Sequence, residues 1–160
     1  GTYVAAIPLD QLEEATVIRK ALEGAAIRHA TLKMSKSQQL TLAATVEKMR
    51  EAVAADDREK FHAEDESFHQ QIAEISGYPG IWRLVAQVKA QMDRLRRITL
   101  LLDERIQQVV EEHARILDAM SQGDPELAEK AMSDHLSQIL VKLPDEFSGL
   151  ATSDRTSGTS

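Results

Sequence analysis

The sequence predicts an all-α protein, an antiparallel bundle of six helices with room for a seventh. Three observations predict it. Apolar residues recur three and four apart along most of the chain, the rhythm of a helix with one buried face. Glycine and proline are placed where helices should end. The connections between the periodic stretches are short, which folds successive helices back on one another.

The first helix is expected over about residues 9–30, with Leu12, Ala15, Arg19, Leu22 and Ala26 on one stripe. The second, about 37–54, carries the uninterrupted seam Leu42, Val46, Met49 and Val53 and is assigned to packing alone. In the third, about 57–76, the seam is Phe61, Asp65, Phe68, Ile72 and Ile75, and Gly77 suits a left-handed cap. Tyr78 and Pro79 then turn the chain into a long fourth helix reaching about residue 102, through Ile81, Val85, Val88, Met92, Leu95, Thr99 and Leu102. The fifth, about 104–121, buries Ile106, Val109, Val110, Ile116, Leu117 and Met120. Gln122 and Gly123 end it. Asp124 is an N-cap followed by Pro125, the residue best suited to a first helical position. The sixth helix extends to about residue 142, with Leu127, Ala128, Ala131, Ile139 and Leu140 as its expected stripe. The domain is therefore placed at 9–142, with 1–8 outside it and 143–160 a flexible tail rich in Ser, Thr, Gly and Asp.

Composition excludes several classes of function. A chain of 160 residues fits one domain with a substantial core. Without cysteine there is no disulfide, no thiolate metal site and no cysteine nucleophile, so a transition metal must be held by nitrogen and oxygen. The formal charge of −7 argues against this segment gripping a phosphate backbone by itself, and the one dense basic run, Arg94, Arg96 and Arg97, is short. Three Phe, two Tyr and one Trp leave no set of rings for stacking bases. No apolar run approaches the roughly 20 residues that span a bilayer, and no signal peptide is visible, so no membrane partner and a cytoplasmic location are expected.

Three of the seams are broken near their middles by groups that ligate metals: Asp65 with His69, then His113, then His135. Asp65 takes a position where an apolar side chain is expected, and a carboxylate removed from water is costly unless paired, hydrogen-bonded or bound to a cation. His69 follows one turn on, roughly 40° round the helix, so D-x-x-x-H is a two-ligand clip. Each histidine alone reads first as a core residue hydrogen-bonded to a neighbour, and only second as a ligand; their conjunction with the clip reverses that order and points to a shared metal site. Arg19 also interrupts a buried stripe. Its guanidinium is a candidate anchor for an anionic ligand, against a salt bridge to Glu23 one turn on or a stem whose head reaches water. Arg94 and Arg97, three apart on one face, and Thr99 are further candidates to contact such a ligand. His62 lies two turns from His69, about 10 Å away, too far to share an ion with it, and His29 lacks an acidic partner at a useful spacing.

The stretches IRKALEGAA, DESFHQQIAEISGYP, RRITL, EEHARILDAMSQGDPELAEKAM and DHLSQIL, over about residues 9–142, resemble the FadR-type C-terminal effector domain (FCD) of bacterial GntR-superfamily transcription regulators. The resemblance implies an all-helical antiparallel bundle. In metal-binding members the acid and histidine of D-x-x-x-H and two later histidines coordinate the ion, which implies ligands at Asp65, His69, His113 and His135. The opening GTYVA is similar to the end of a winged-helix DNA-binding domain, so operator DNA would be read by a domain not in this chain. Tyr78 departs from the Asn common in the family's S-G-N-P turn.

The expectation is a ligand-sensing and dimerising domain rather than an enzyme. It would hold a divalent transition metal, zinc first and Ni, Mn, Co or Fe otherwise, that leaves positions open for a small carboxylate: a sugar acid, hydroxy acid or dicarboxylate. Arg19, Arg94, Arg97 and Thr99 would contact that effector, and a homodimer would present two DNA-binding domains. The alternatives are a metal-dependent hydrolase, for which no H-E-x-x-H or clear general base appears although Glu64 and Glu66 flank Asp65, and a metal-free effector domain. A di-iron carboxylate bundle requires E-x-x-H on two helices, whereas E-K-F-H and E-S-F-H here both fall on the third.

Overall fold

A computed structural model describes residues 9–99 and 103–141, excepting the side chains of 9, 94–99, 103–104 and 139–141. Among them are six helices and no strand: α1 (Leu9–Lys33), α2 (Lys36–Ala54), α3 (Arg58–Ser76), α4 (Gly80–Thr99), α5 (Asp103–Ser121) and α6 (Pro125–Val141). The all-α bundle predicted from periodicity is the fold observed.

Local chemistry sets the boundaries. Ser35 and Gln38 form a reciprocal capping box, Gln38 N donating to Ser35 Oγ at 3.1 Å and Ser35 N to Gln38 Oε1 at 2.9 Å. Because Ser35 must be extended (φ −80°, ψ 164°) to do this, α1 continues to Lys33, one turn past its expected end, and stops only there. Asp57 caps α3 by accepting from Lys60 N at 3.1 Å, and Asp124 caps α6 by accepting from Leu127 N at 3.1 Å. Gly77 ends α3 in the left-handed region at φ 87°. Lys33 Nζ donates to the Ser76 carbonyl there at 2.8 Å and lies over the Tyr78 ring, which also meets His29 edge-on at 5.1 Å between centroids.

Packing is not simply neighbour against neighbour. α2 folds onto α3 and α5 onto α6, but α1 packs on α6, α3 and α4 rather than on the α2 that follows it. The core runs through the middle of these contacts: Ile27, Leu42, Met49, Phe61, Phe68, Ile72, Ile116, Met120 and Met132 are fully buried. One expected stripe is corrected. Leu127 is 40% exposed, and α6 buries Met132 and Leu136 beside the expected Ala128 and His135, a rotation that directs the helix into the angle between α1 and α5. Residues 139 and 140, also expected on that stripe, have side chains outside the described set, as do Leu95, Thr99 and Leu102 of the fourth seam. The fourth seam conceals a charge: Lys89 is 4% exposed and bridges Glu66 of α3 at 3.0 Å and Asp93 at 3.1 Å, tying α4 to the helix that carries Asp65.

The two positive-φ glycines give a paired test of these termini. At Gly77 an added Cβ is strained by φ 87° and meets Lys33 Nζ at 3.1 Å, whereas at Gly123 (φ 71°) it meets nothing within 4 Å. Gly123→Ala is expected to cost about 1 kcal/mol in urea unfolding from backbone strain alone, and Gly77→Ala more, because Lys33 must also give way. Equal costs would contradict the capping role assigned to Lys33.

Candidate metal centre

Each of the four donor-bearing residues comes from the seam position predicted for it. α3 supplies Asp65 and His69 one turn apart, α5 supplies His113 and α6 His135, with exposures of 0%, 2%, 0% and 6%. One donor atom from each lies within 4.8 Å of every other. His113 Nε2 is 2.8 Å and His69 Nε2 3.5 Å from Asp65 Oδ1. The rings crowd together, with centroids of His113 and His135 at 4.5 Å, His69 and His113 at 5.3 Å, and His69 and His135 at 5.4 Å. Phe68 closes the site from beneath, edge-on to His113 at 4.7 Å.

The ring nitrogens facing away from this point are all engaged. His113 Nδ1 lies 2.6 Å from the Val109 carbonyl oxygen, which can only accept, so Nδ1 carries the proton and the neutral ring presents an Nε2 lone pair to Asp65. His69 Nδ1 meets Glu23 Oε1 of α1 at 2.5 Å, and His135 Nδ1 meets Glu112 Oε1 at 2.7 Å. His69 Nε2 and His113 Nε2 are buried and make no hydrogen bond. At His113 a lone pair therefore faces a carboxylate oxygen 2.8 Å away, acceptor against acceptor, which a shared cation relieves. Ligand bonds of ~2.1 Å place neighbouring donors about 3 Å apart and opposite donors about 4 Å apart, so the spacing fits one ion. Three imidazoles with one carboxylate suit a first-row divalent ion, and an octahedral one would keep two positions open.

Electrostatics follow from burial and pairing. Burial acts to raise the Glu23 carboxyl, but the Arg19 charge and then His69 outweigh it and hold Glu23 well below the carboxylate range. Burial works equally against a charged His69, yet Glu23 and Asp65 raise it above the ordinary imidazole value. His135 is pressed down to about 3 chiefly by burial, against the opposing hydrogen bond of Glu112. Glu112 is lowered despite its burial by hydrogen bonds from His135 and Arg105.

Of the other predicted residues, Arg19 is 4% exposed and pairs with Glu23, Nε to Oε2 at 2.9 Å, while its Nη2, 2.8 Å from the same oxygen, makes no hydrogen bond. Arg94, Arg97 and Thr99 belong to α4, but their side chains lie outside the described residues. His62 and His29 are away from the cluster, against Phe61 and Tyr78. Sequence reasoning missed Glu112 and Arg105 altogether, and it saw Glu23 only as a partner for Arg19. The available signals were a glutamate immediately before His113 and an arginine seven residues earlier, two turns along the same face of α5. Glu112 and His135 also border an open groove of about 910 Å³ along the outer side of α5 and α6, rimmed by Arg115, Lys130 and Gln138.

The family model for the FCD domain matches residues 14–138. The chain belongs to the FCD family. The FCD domain is similar to the HTH-type transcriptional repressor RspR of Escherichia coli K12, 28% identical over 139 residues, covering 87% of this chain and 61% of that protein. It is also similar to a probable D-xylose utilization operon transcriptional repressor of Paenarthrobacter nicotinovorans, 32% identical over 143 residues, covering 88% of this chain and 61% of that protein. The chain thus spans about three fifths of these relatives. Among solved structures, E. coli McbR/YncC matches with a TM-score of 0.78 at 20% identity, over 88% of this chain and 71% of that one, which shows a shared fold. The family model is that of the FCD domain, and the named relatives are transcriptional regulators, not enzymes. No described helix is long and apolar enough to cross a membrane.

The buried Arg19–Glu23 pair yields a stability prediction. Arg19→Leu takes the guanidinium from the buried Glu23 carboxylate and is expected to cost roughly 3 kcal/mol in urea unfolding, and adding Glu23→Leu recovers little of that loss, because the buried His69 Nδ1–H then has no acceptor. A single variant within 1 kcal/mol of wild type, a threshold set by exposed pairs, would mean that the pair contributes no more than one at the surface.

Proposed function

We propose that this FCD domain is the ligand-sensing and dimerising part of a DNA-binding transcriptional regulator, and that Asp65, His69, His113 and His135 hold a divalent transition metal, zinc before Ni, Mn, Co or Fe. The observation that carries the proposal is the convergence of four buried donors within 4.8 Å, with each imidazole's far nitrogen engaged elsewhere. When bound, the metal supplies a Lewis-acidic centre with open positions for a small organic carboxylate. Arg19 is the chain's own contribution to that ligand: a buried, permanently charged fork paired with Glu23, which in turn meets His69. Arg94, Arg97 and Thr99 are proposed as further contacts from α4. A sugar acid, hydroxy acid or dicarboxylate fits this chemistry, and the D-xylose name carried by one relative is compatible with a sugar-derived effector.

Regulation follows if the effector has different affinity for two conformations of the domain. Donors from α3, α5 and α6 draw those helices together, and α1, which packs on α3 and α6, moves with them. In a homodimer this changes the spacing of the attached winged-helix domains against operator half-sites. The exposed Ile18 and Leu32 of α1 and Leu84 of α4, at 37%, 72% and 50%, are apolar surface that a second copy can cover. The location proposed is the cytoplasm, where operator DNA is reached.

Protein purified without chelator should carry about one divalent metal per chain, and zinc or nickel added to stripped protein should raise the melting temperature. No metal and no rise would overturn the proposal. His113→Ala is expected to weaken metal retention by more than the 10- to 100-fold typical of losing an outer partner, with helicity unchanged. Unfolding of that variant, with no metal bound by the wild type, would make His113 a packing residue. Arg19→Lys keeps the charge beside Glu23 but loses the planar fork. It should therefore diminish the thermal shift given by small carboxylates more than that given by the metal, and equal losses would remove Arg19 from the effector site.

A further inference from the structure

Two charged relays of the same composition adjoin the four donors. On one, Arg19 Nε donates to Glu23 Oε2 at 2.9 Å and Glu23 Oε1 lies 2.5 Å from His69 Nδ1. On the other, Arg105 donates through Nη1 to Glu112 Oε2 at 2.7 Å and through Nη2 to Oε1 at 3.3 Å, and Glu112 Oε1 lies 2.7 Å from His135 Nδ1. All four charged residues are buried, at 4% and 5% for the first pair and 8% and 8% for the second. Burying an ion pair is seldom better for stability than packing apolar side chains of similar volume, so filling the core does not explain two such pairs at this one place. Position explains them. A carboxylate can only accept, so its contact with Nδ1 puts the ring proton there, leaves the lone pair on Nε2, and fixes the plane of the ring. His113 obtains the same constraint from the Val109 carbonyl of its own helix. The two histidines without a backbone acceptor on Nδ1 have a glutamate instead.

We propose that Glu23 and Glu112 are positioning residues of this centre, each setting the tautomer and orientation of one histidine, and that Arg19 and Arg105 lock those carboxylates in register. The proposal rests on the metal reading given above. It also gives Arg19 a second role, since the guanidinium offered to a carboxylate effector is the one that steadies Glu23 behind His69. The relays span helices, α1 to α3 and α5 to α6, so the rings are aimed by packing between elements as well as by their own backbones.

The test is ring-nitrogen NMR of the zinc-loaded full chain, with zinc retention measured by chelator competition, for the wild type, Glu23→Gln, Glu112→Gln and Glu112→Ala. The wild type should show three histidines with a proton on Nδ1 and zinc on Nε2. Glu112→Gln should move the Nδ1–H signal of His135 and leave that of His113 in place, and Glu23→Gln should do the same at His69. Each glutamine variant should lose roughly 10- to 100-fold in zinc retention, and Glu112→Ala no less. Glutamine variants with unchanged retention and ring signals would overturn the positioning roles alone. So would a loss of retention with all three ring signals moving together, or a failure of the isosteric variants to fold, since either describes structural residues. A wild type that takes up no zinc would overturn the metal reading and the relays with it.

Discussion

The constraint on which the rest of the structure depends is that an imidazole can offer a lone pair on one nitrogen only when its proton is held on the other. Three rings are held this way at one point, by Val109 O, Glu23 and Glu112. The consequence is a set of inward-facing acceptors around Asp65, in a place where water has been excluded. Such a concentration of lone pairs is unfavourable as a core and favourable as a cation site. The fold supplies the enclosure, since Phe68 and the apolar faces of α3, α5 and α6 surround the cluster.

That requirement also explains the unusual place of α1. A helix with charged residues at 19 and 23 on its inward face would ordinarily be turned to put them in water. Here α1 lies against α6, α3 and α4 with Arg19 and Glu23 in the interior, where Glu23 meets His69 and Arg19 pairs with Glu23. The same logic orders α5, where Arg105, Glu112 and His113 occupy two turns of one helix, and Glu112 reaches across to His135 on α6. Sensing a small molecule is the task proposed for this domain. An interior whose charges must stay in balance is well suited to that task, because a ligand entering it alters several helices at once.

Much of this was legible in the sequence. The six helices follow from periodicity, the caps at Gly77 and Asp124 from residue type, and the four donors from polar groups interrupting apolar seams. What the seams could not reveal were groups that act across helices. Glu112 draws no notice and Glu23 reads only as a partner for Arg19, because no one-dimensional pattern couples residue 23 to 69, or 112 to 135. Lys89 was hidden for the same reason, its partner Glu66 lying on another helix. Leu127 misled because a short helix with apolar residues at 127, 128, 131, 132 and 136 supports two neighbouring stripes. The choice between them is made by how α6 meets α1 and α5.

The central claim is that three imidazoles and one carboxylate converge on a single ion, and X-ray absorption at the edge of the bound metal reads this directly. The account predicts outer-shell scattering from about three imidazole rings, with nitrogen and oxygen at roughly 2.0–2.2 Å and no sulfur. A shell of oxygens without imidazole scattering would place the ion elsewhere and contradict it.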